Sequence, residues 1–142
     1  MTEAVTIIIP GDIKGKARPR FSSKSGVAFT PKPTRTREGI IASLAMDAMH
    51  LSPPFTGPVE MTLTAYFDIP ASYSKKRRAE CLCGDKMPTK KPDLDNVVKM
   101  VWDALNKIVY ADDSQIVRVI ARKEYAEVSK TVVTVTPIHG RI

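Results

Sequence analysis

Val59-Glu60-Met61-Thr62-Leu63-Thr64-Ala65-Tyr66-Phe67-Asp68 alternates apolar with more polar side chains from end to end. Successive side chains on a strand point to opposite faces. The stretch therefore predicts a strand with one buried face and one wet face, opened by Gly57-Pro58 and ended by Pro70. A half-buried strand needs an apolar layer to cover it, so the question passes to its neighbours in the chain.

Upstream, Ile40, Ile41, Leu44, Ala45, Ala48 and Met49 recur at helical spacing. They predict a helix over about 34–50, with Thr34 or Thr36 as its cap and Pro53-Pro54 beyond its end. Further back, Val5 to Ile9 is a continuous β-branched run that reads as a buried strand, and Val27 to Thr30 reads as a short one. Between them lies a turn-rich loop or edge hairpin with Lys14, Lys16, Arg18 and Arg20.

Downstream, residues 71–91 predict a long basic loop, with a short helix from Ser74 to Cys81 as an option and disorder expected without a ligand. A second helix runs over about 94–107, its apolar stripe being Leu94, Val97, Val98, Val101, Trp102 and Leu105; Val97, Val101, Trp102 and Leu105 are candidates for the core or a dimer interface, with the core preferred for Trp102. Ile116 to Tyr125 and Thr131 to Thr136 read as two closing strands around a turn near Val128-Ser129-Lys130. The order predicts an α+β fold: a mixed, mainly antiparallel sheet with two main helices packed on one face. A single domain over 1–142 is expected.

The chain carries 22 Lys and Arg against 15 Asp and Glu, a formal charge of +7, which points to a polyanionic partner such as nucleic acid. With no apolar run approaching the roughly 20 residues that span a bilayer, and no signal-peptide pattern at the start, a cytoplasmic protein is expected. Cys81 and Cys83 read as incidental thiols, since neither His50 nor His139 lies nearby in sequence to complete a zinc set.

Chemistry concentrates in Lys91-Pro92-Asp93-Leu94-Asp95-Asn96-Val97-Val98-Lys99. Asp93 is placed to cap the second helix, and Asp95 falls in its first turn, where the helix dipole favours a carboxylate. One such residue needs no functional explanation. Two close carboxylates repel unless a cation neutralises them, and hard oxygen donors suit Mg²⁺ or Mn²⁺. Lys99 lies four residues after Asp95 on the same helix face. It reads either as a surface ion pair or as an ammonium beside a phosphate, while Asp103, one turn on, reads as structural. Asp112-Asp113 precedes the strand at Ile116 and reads as an ordinary acidic turn unless the fold returns it to the helix start.

Lys91-Pro-Asp-Leu-Asp-Asn-Val-Val-Lys99, Asp103-Ala-Leu and Asp112-Asp-Ser-Gln-Ile116 together resemble the RusA family of Holliday-junction resolvases. Gly15-Lys-Ala-Arg-Pro-Arg20, Thr30-Pro-Lys and Lys123-x-Tyr125 are similar to further parts of that pattern. The resemblance implies a homodimeric endodeoxyribonuclease that resolves four-way DNA junctions by paired symmetric nicks, in recombination and repair, with Mg²⁺ as cofactor and Mn²⁺ as a substitute. It implies Asp93, Asp95 and Asp113 as metal ligands and Lys99 as the catalytic lysine. Asp112 is the alternative third carboxylate. This chain departs from the bacterial prototype in its longer 71–90 loop and in having Lys91 and Pro92 where an aromatic wedge would stand. Lys14, Lys16, Arg18, Arg20, Lys75, Lys76, Arg77, Arg78, Lys86, Lys90 and Lys91 are the expected DNA surface, binding phosphates without reading bases. The rival expectations are a phage endonuclease of broader branched-DNA specificity, a basic DNA-binding protein without catalysis, and an RNA-associated basic protein that would not need the acidic cluster.

Overall fold

The computed structural model describes residues 3–14, 20–21, 28–29 and 32–139. Its elements are strands β1 (Val5–Pro10), β2 (Arg20–Phe21) and β3 (Ala28–Phe29), helix α1 (Lys32–Met49), strand β4 (Val59–Asp68), helices α2 (Lys75–Leu82) and α3 (Leu94–Leu105), and strands β5 (Ile116–Ala126) and β6 (Lys130–Pro137). A 3-10 turn at Asp113–Gln115 leads into β5.

The main sheet has the order β1-β6-β4-β5, and β2 pairs with β3 separately. The expected α+β arrangement and mixed sheet are found: β4 runs antiparallel to β6 and parallel to β5, and β1 runs antiparallel to β6. The two closing strands are not neighbours, however, because β4 lies between them. β4 is thus paired on both sides, and its alternation reports one core face. Val59, Met61, Leu63, Ala65 and Phe67 are buried while the residues between them are partly exposed.

Register carries this core face across the sheet. Leu63 lies beside Val133, which lies beside Ile7, and on the other side beside Ala121. Helices α1 and α3 pack against each other over this face. Ile41, Ala45 and Met49 of α1 point inward at four-residue spacing, as do Val97, Met100, Val101, Ala104 and Leu105 of α3. Burial of that many aliphatic side chains, each stabilising by about 1.5–3 kcal/mol, is the main force holding the layers together.

Several expectations are corrected. β1 is an edge strand, buried on one face only, so Ile8 remains 56% exposed. Helix α1 starts at Lys32, before Thr34 and Thr36, with Pro33 in the first turn, where its missing N–H costs no helical bond. The short helix offered as an option within 71–91, by contrast, is found as α2, capped by the Ser74 side chain accepting from the Arg77 N–H at 3.2 Å. α2 packs on β5 and buries Cys81, while Cys83 is exposed; both thiols are free. Among the described residues no helix is long and apolar enough to cross a membrane.

Candidate active site

Asp93 occupies the cap position of α3 with extended backbone, and its carbonyl accepts from the N–H groups of Asn96 and Val97 at 3.1 and 3.2 Å. Its side chain makes no capping bond, contrary to expectation. The carboxylate instead meets Lys91 Nζ at 2.8 Å. Asp95 lies in the first turn of α3 as expected.

The segment before α3 is held from β5. Lys123 Nζ donates to the carbonyls of Lys90 at 2.6 Å and Pro92 at 2.9 Å, on either side of the cis Lys91–Pro92 peptide. Lys123 stands on the core-facing register of β5, opposite Ala65, so the sheet itself fixes where Asp93 begins. The sequence marks Lys123 only through its resemblance to a family pattern, and its two acceptors are backbone atoms that no side-chain motif announces.

Asp113 is positioned by its neighbours. The Asp112 side chain accepts from the Ser114 N–H at 3.1 Å and from the Ser114 hydroxyl, and Gln115 Oε1 accepts from the Asp112 N–H at 2.7 Å. These are the reciprocal bonds of a capping box. Gln115 Nε2 then donates to the carbonyls of Phe55 and Gly57, each at 2.8 Å, tying the turn to the segment before β4. The Asp-x-x-Gln spacing of 112–115 is the signal that could have revealed this role. The Ser114 bonds, and then Lys107 at 3.5 Å, hold the Asp112 carboxyl below the usual range.

The fold brings Asp95 and Asp113 to one hollow of about 690 Å³, which Lys99 and Ser114 also line. Neither carboxylate has an ion pair or side-chain hydrogen bond among the described residues. Asp93 is not among the lining residues, and no group of three metal-ligating side chains is assembled among the described residues. Lys99 pairs with Asp103 at 3.2 Å, not with Asp95. The pairing follows α3 one turn forward, and it leaves Asp95 unclaimed. The charges of Asp113 and Asp103 reach the buried phenol of Tyr110, which desolvation first and these carboxylates second push well above the ordinary tyrosine value.

The rest of the hollow is apolar: Leu94, Val98 and Trp102 of α3, with Ala121 of β5. Trp102 is partly exposed and lies outside the core cluster, which corrects its assignment to the core. Stripe membership alone could not separate core from cleft, because α3 is apolar over a wide arc.

Of the expected DNA surface, Lys14, Lys75, Lys76, Arg77, Lys86, Lys90 and Lys91 are exposed and Arg78 is partly so. Arg77 stacks over Tyr73 at 3.8 Å, Lys86 approaches Glu80 at 3.9 Å, and Lys91 is held by Asp93. Lys16, Arg18 and the side chain of Arg20 lie outside the described residues.

A family model described as endodeoxyribonuclease RusA matches residues 10–136. The chain belongs to the RusA endodeoxyribonuclease family. It is also 35% identical over 129 residues, covering 88% of this chain and 90% of the relative, to an uncharacterized protein of Bacillus subtilis (strain 168), YqaN. RusA membership supports a nuclease that acts on DNA junctions, and the matched span includes both carboxylate-bearing segments and Lys99.

Proposed function

We propose that this RusA-family chain is a Mg²⁺-dependent endonuclease that resolves four-way DNA junctions by paired symmetric nicks. The observation that carries the reading is the meeting of Asp95 and Asp113, from elements 18 residues apart in number, at one hollow with Lys99 on its rim. Unpaired carboxylates at a shared surface suit a hard divalent ion. Asp95 and Asp113 would hold it, with Asp93 as the third ligand that the family resemblance supplies. Such an ion, when bound, activates water and offsets charge on a phosphate.

The chain's own residues do the rest. Asp103 orients Lys99, whose ammonium at the hollow's edge offsets negative charge that builds up on the phosphate oxygens. Asp112 is occupied in shaping the 113–115 turn, which favours Asp113 as the reacting carboxylate of that pair. Lys123 and Gln115 act as positioning residues for the two carboxylate-bearing segments. The exposed cations of α2 and of 90–91 hold the backbone of the arms, so binding weakens as salt rises. A two-fold homodimer places two equal sites for two symmetric cuts.

The Lys91–Asp93 ion pair favours a second reading, a junction-binding protein without catalysis, because it occupies one of the three expected ligands. A mobile four-way junction, a linear duplex and a splayed-arm substrate, each incubated with Mg²⁺, distinguish the readings. Symmetric nicking of the junction, abolished in Asp95→Asn, is the expected result. Junction binding with no metal-dependent nicking supports the second reading, and equal cutting of the splayed arm supports a nuclease of broader branched-DNA specificity.

A further inference from the structure

We propose that the apolar wall of this hollow receives one unstacked nucleobase, laid against the indole of Trp102 beside the phosphate to be cut. The proposal rests on the nuclease reading and assigns a ligand to the part of the hollow that reading leaves unused. Helix α3 carries two apolar stripes. One is buried in the core; the other, Leu94, Val98 and Trp102 at steps of four, borders the hollow. Leu94 and Val98 also pack on the core, but Trp102 does not belong to that cluster. Its indole N–H has no hydrogen-bond partner among the described residues.

The chemistry of the rim decides what the wall takes. Asp95, Lys99 and Asp113 border the same space as the indole. If those groups engage a phosphodiester, the base on the adjoining sugar is the apolar group tethered within reach. A nucleobase offers a flat face for the ring and a polar edge for the free N–H and the Ser114 hydroxyl. The hollow, at about 690 Å³, has the size of a small-ligand cleft. A second copy of the chain seated here would desolvate two unpaired carboxylates, which is costly without compensating partners.

A preference follows for branched over linear DNA. In a linear duplex the base must first leave its stack, whereas a junction centre offers bases already loosened. Trp102 stands one turn beyond Lys99 on α3, so the base and the phosphate would be held from the same helix.

Trp102 is the sole tryptophan of the chain, so its fluorescence reports the hollow directly. Intact protein is titrated with a four-way junction in EDTA, so that no strand is cut. The expected result is quenching that disappears when one particular nucleotide flanking the cut is made abasic, while binding through the arms persists. Trp102→Ala is expected to weaken binding of the intact junction about 5- to 100-fold, and of the abasic one little, with Trp102→Phe retaining most of the affinity. If Trp102→Ala does not fold, the abasic series on the unaltered protein decides alone. A junction bound and cut normally with no quenching, or quenching indifferent to every abasic position, overturns the base site and leaves the nuclease reading standing. Fluorescence that changes with protein concentration without DNA assigns the hollow to a second copy and also overturns it. Failure to bind or cut any branched DNA removes both readings.

Discussion

Tyr110→Phe removes one oxygen from a side chain that is fully buried, and its cost can be worked from the end of α3. The Tyr110 hydroxyl donates to the Trp102 carbonyl at 2.5 Å. That carbonyl is among the last four of the helix, and the N–H that would ordinarily serve it, from Asn106, turns to the Asp103 carbonyl at 3.3 Å. The phenol is thus its partner. Phenylalanine fills the same volume, so the cavity term is small and the loss is that of a hydrogen bond with an acceptor left partly buried, about 1–2 kcal/mol. For a chain of this size the midpoint of thermal unfolding falls by roughly 3–8 °C. Urea denaturation should show the lower midpoint with an unchanged slope. Alkaline pH gives a second readout. A phenol whose folded pKa is raised is neutral in both states below the ordinary value of 10.0. Above it the unfolded chain ionises first, so stability is lost as pH rises. The phenylalanine variant lacks this component, although Tyr125, also raised, retains its own. A urea midpoint within about 0.3 kcal/mol of the parent, with an unchanged alkaline profile, would refute the capping argument.

Three other perturbations test separate parts of the account. Thr131 is fully buried in the sheet and its hydroxyl has no partner among the described residues, so Thr131→Val should gain about 1 kcal/mol in urea unfolding; a loss would mean that the hydroxyl is satisfied. Lys123→Met keeps the aliphatic stem but frees the Lys90 and Pro92 carbonyls, and should cost about 1–2 kcal/mol of stability together with roughly tenfold in cleavage rate. Retention of full nicking activity by that variant would detach Lys123 from the placement of Asp93. Asp112 has its pKa held down, so its stabilising contribution is present above the unfolded value of 3.8 and is lost as pH falls through the lower folded value. Thermal scans at pH 6 and pH 3 should therefore show a smaller acid-induced drop for Asp112→Asn than for the parent, and equal drops would exclude this linkage.

Local periodicity made much of this fold legible. The alternation of 59–68 located the central strand and its buried face, and the stripes at 40–49 and 94–105 located both packed helices. Nothing local could show that β4 separates β5 from β6, because strand order is settled by pairings between residues far apart in sequence. Continuous apolar sequence misled at β1, since an edge strand can carry Ile8 outward at modest cost. At the site, the carboxylate pattern and the family resemblance named Asp95 and Asp113, and the fold brings those two together. The partners were less legible. Asp93 turns to Lys91 and Lys99 to Asp103 because flexible ammonium groups choose among several carboxylates within reach. Trp102 was misassigned because helical spacing gives a side chain's direction but not whether a neighbour covers it.

The pairing scheme also has a temporal side. Within the four-stranded sheet, every ladder requires β5 or β6, so the first 115 residues can form none of it by themselves. Ile7, for example, waits for Val133. On the ribosome, β4 emerges before either of its ladder partners, and the sheet is completed only once β6 appears. A polypeptide that ends before β5 consequently lacks the strand that ties Asp113 to the start of α3, whereas one clipped between β5 and β6 keeps that tie and loses both antiparallel ladders.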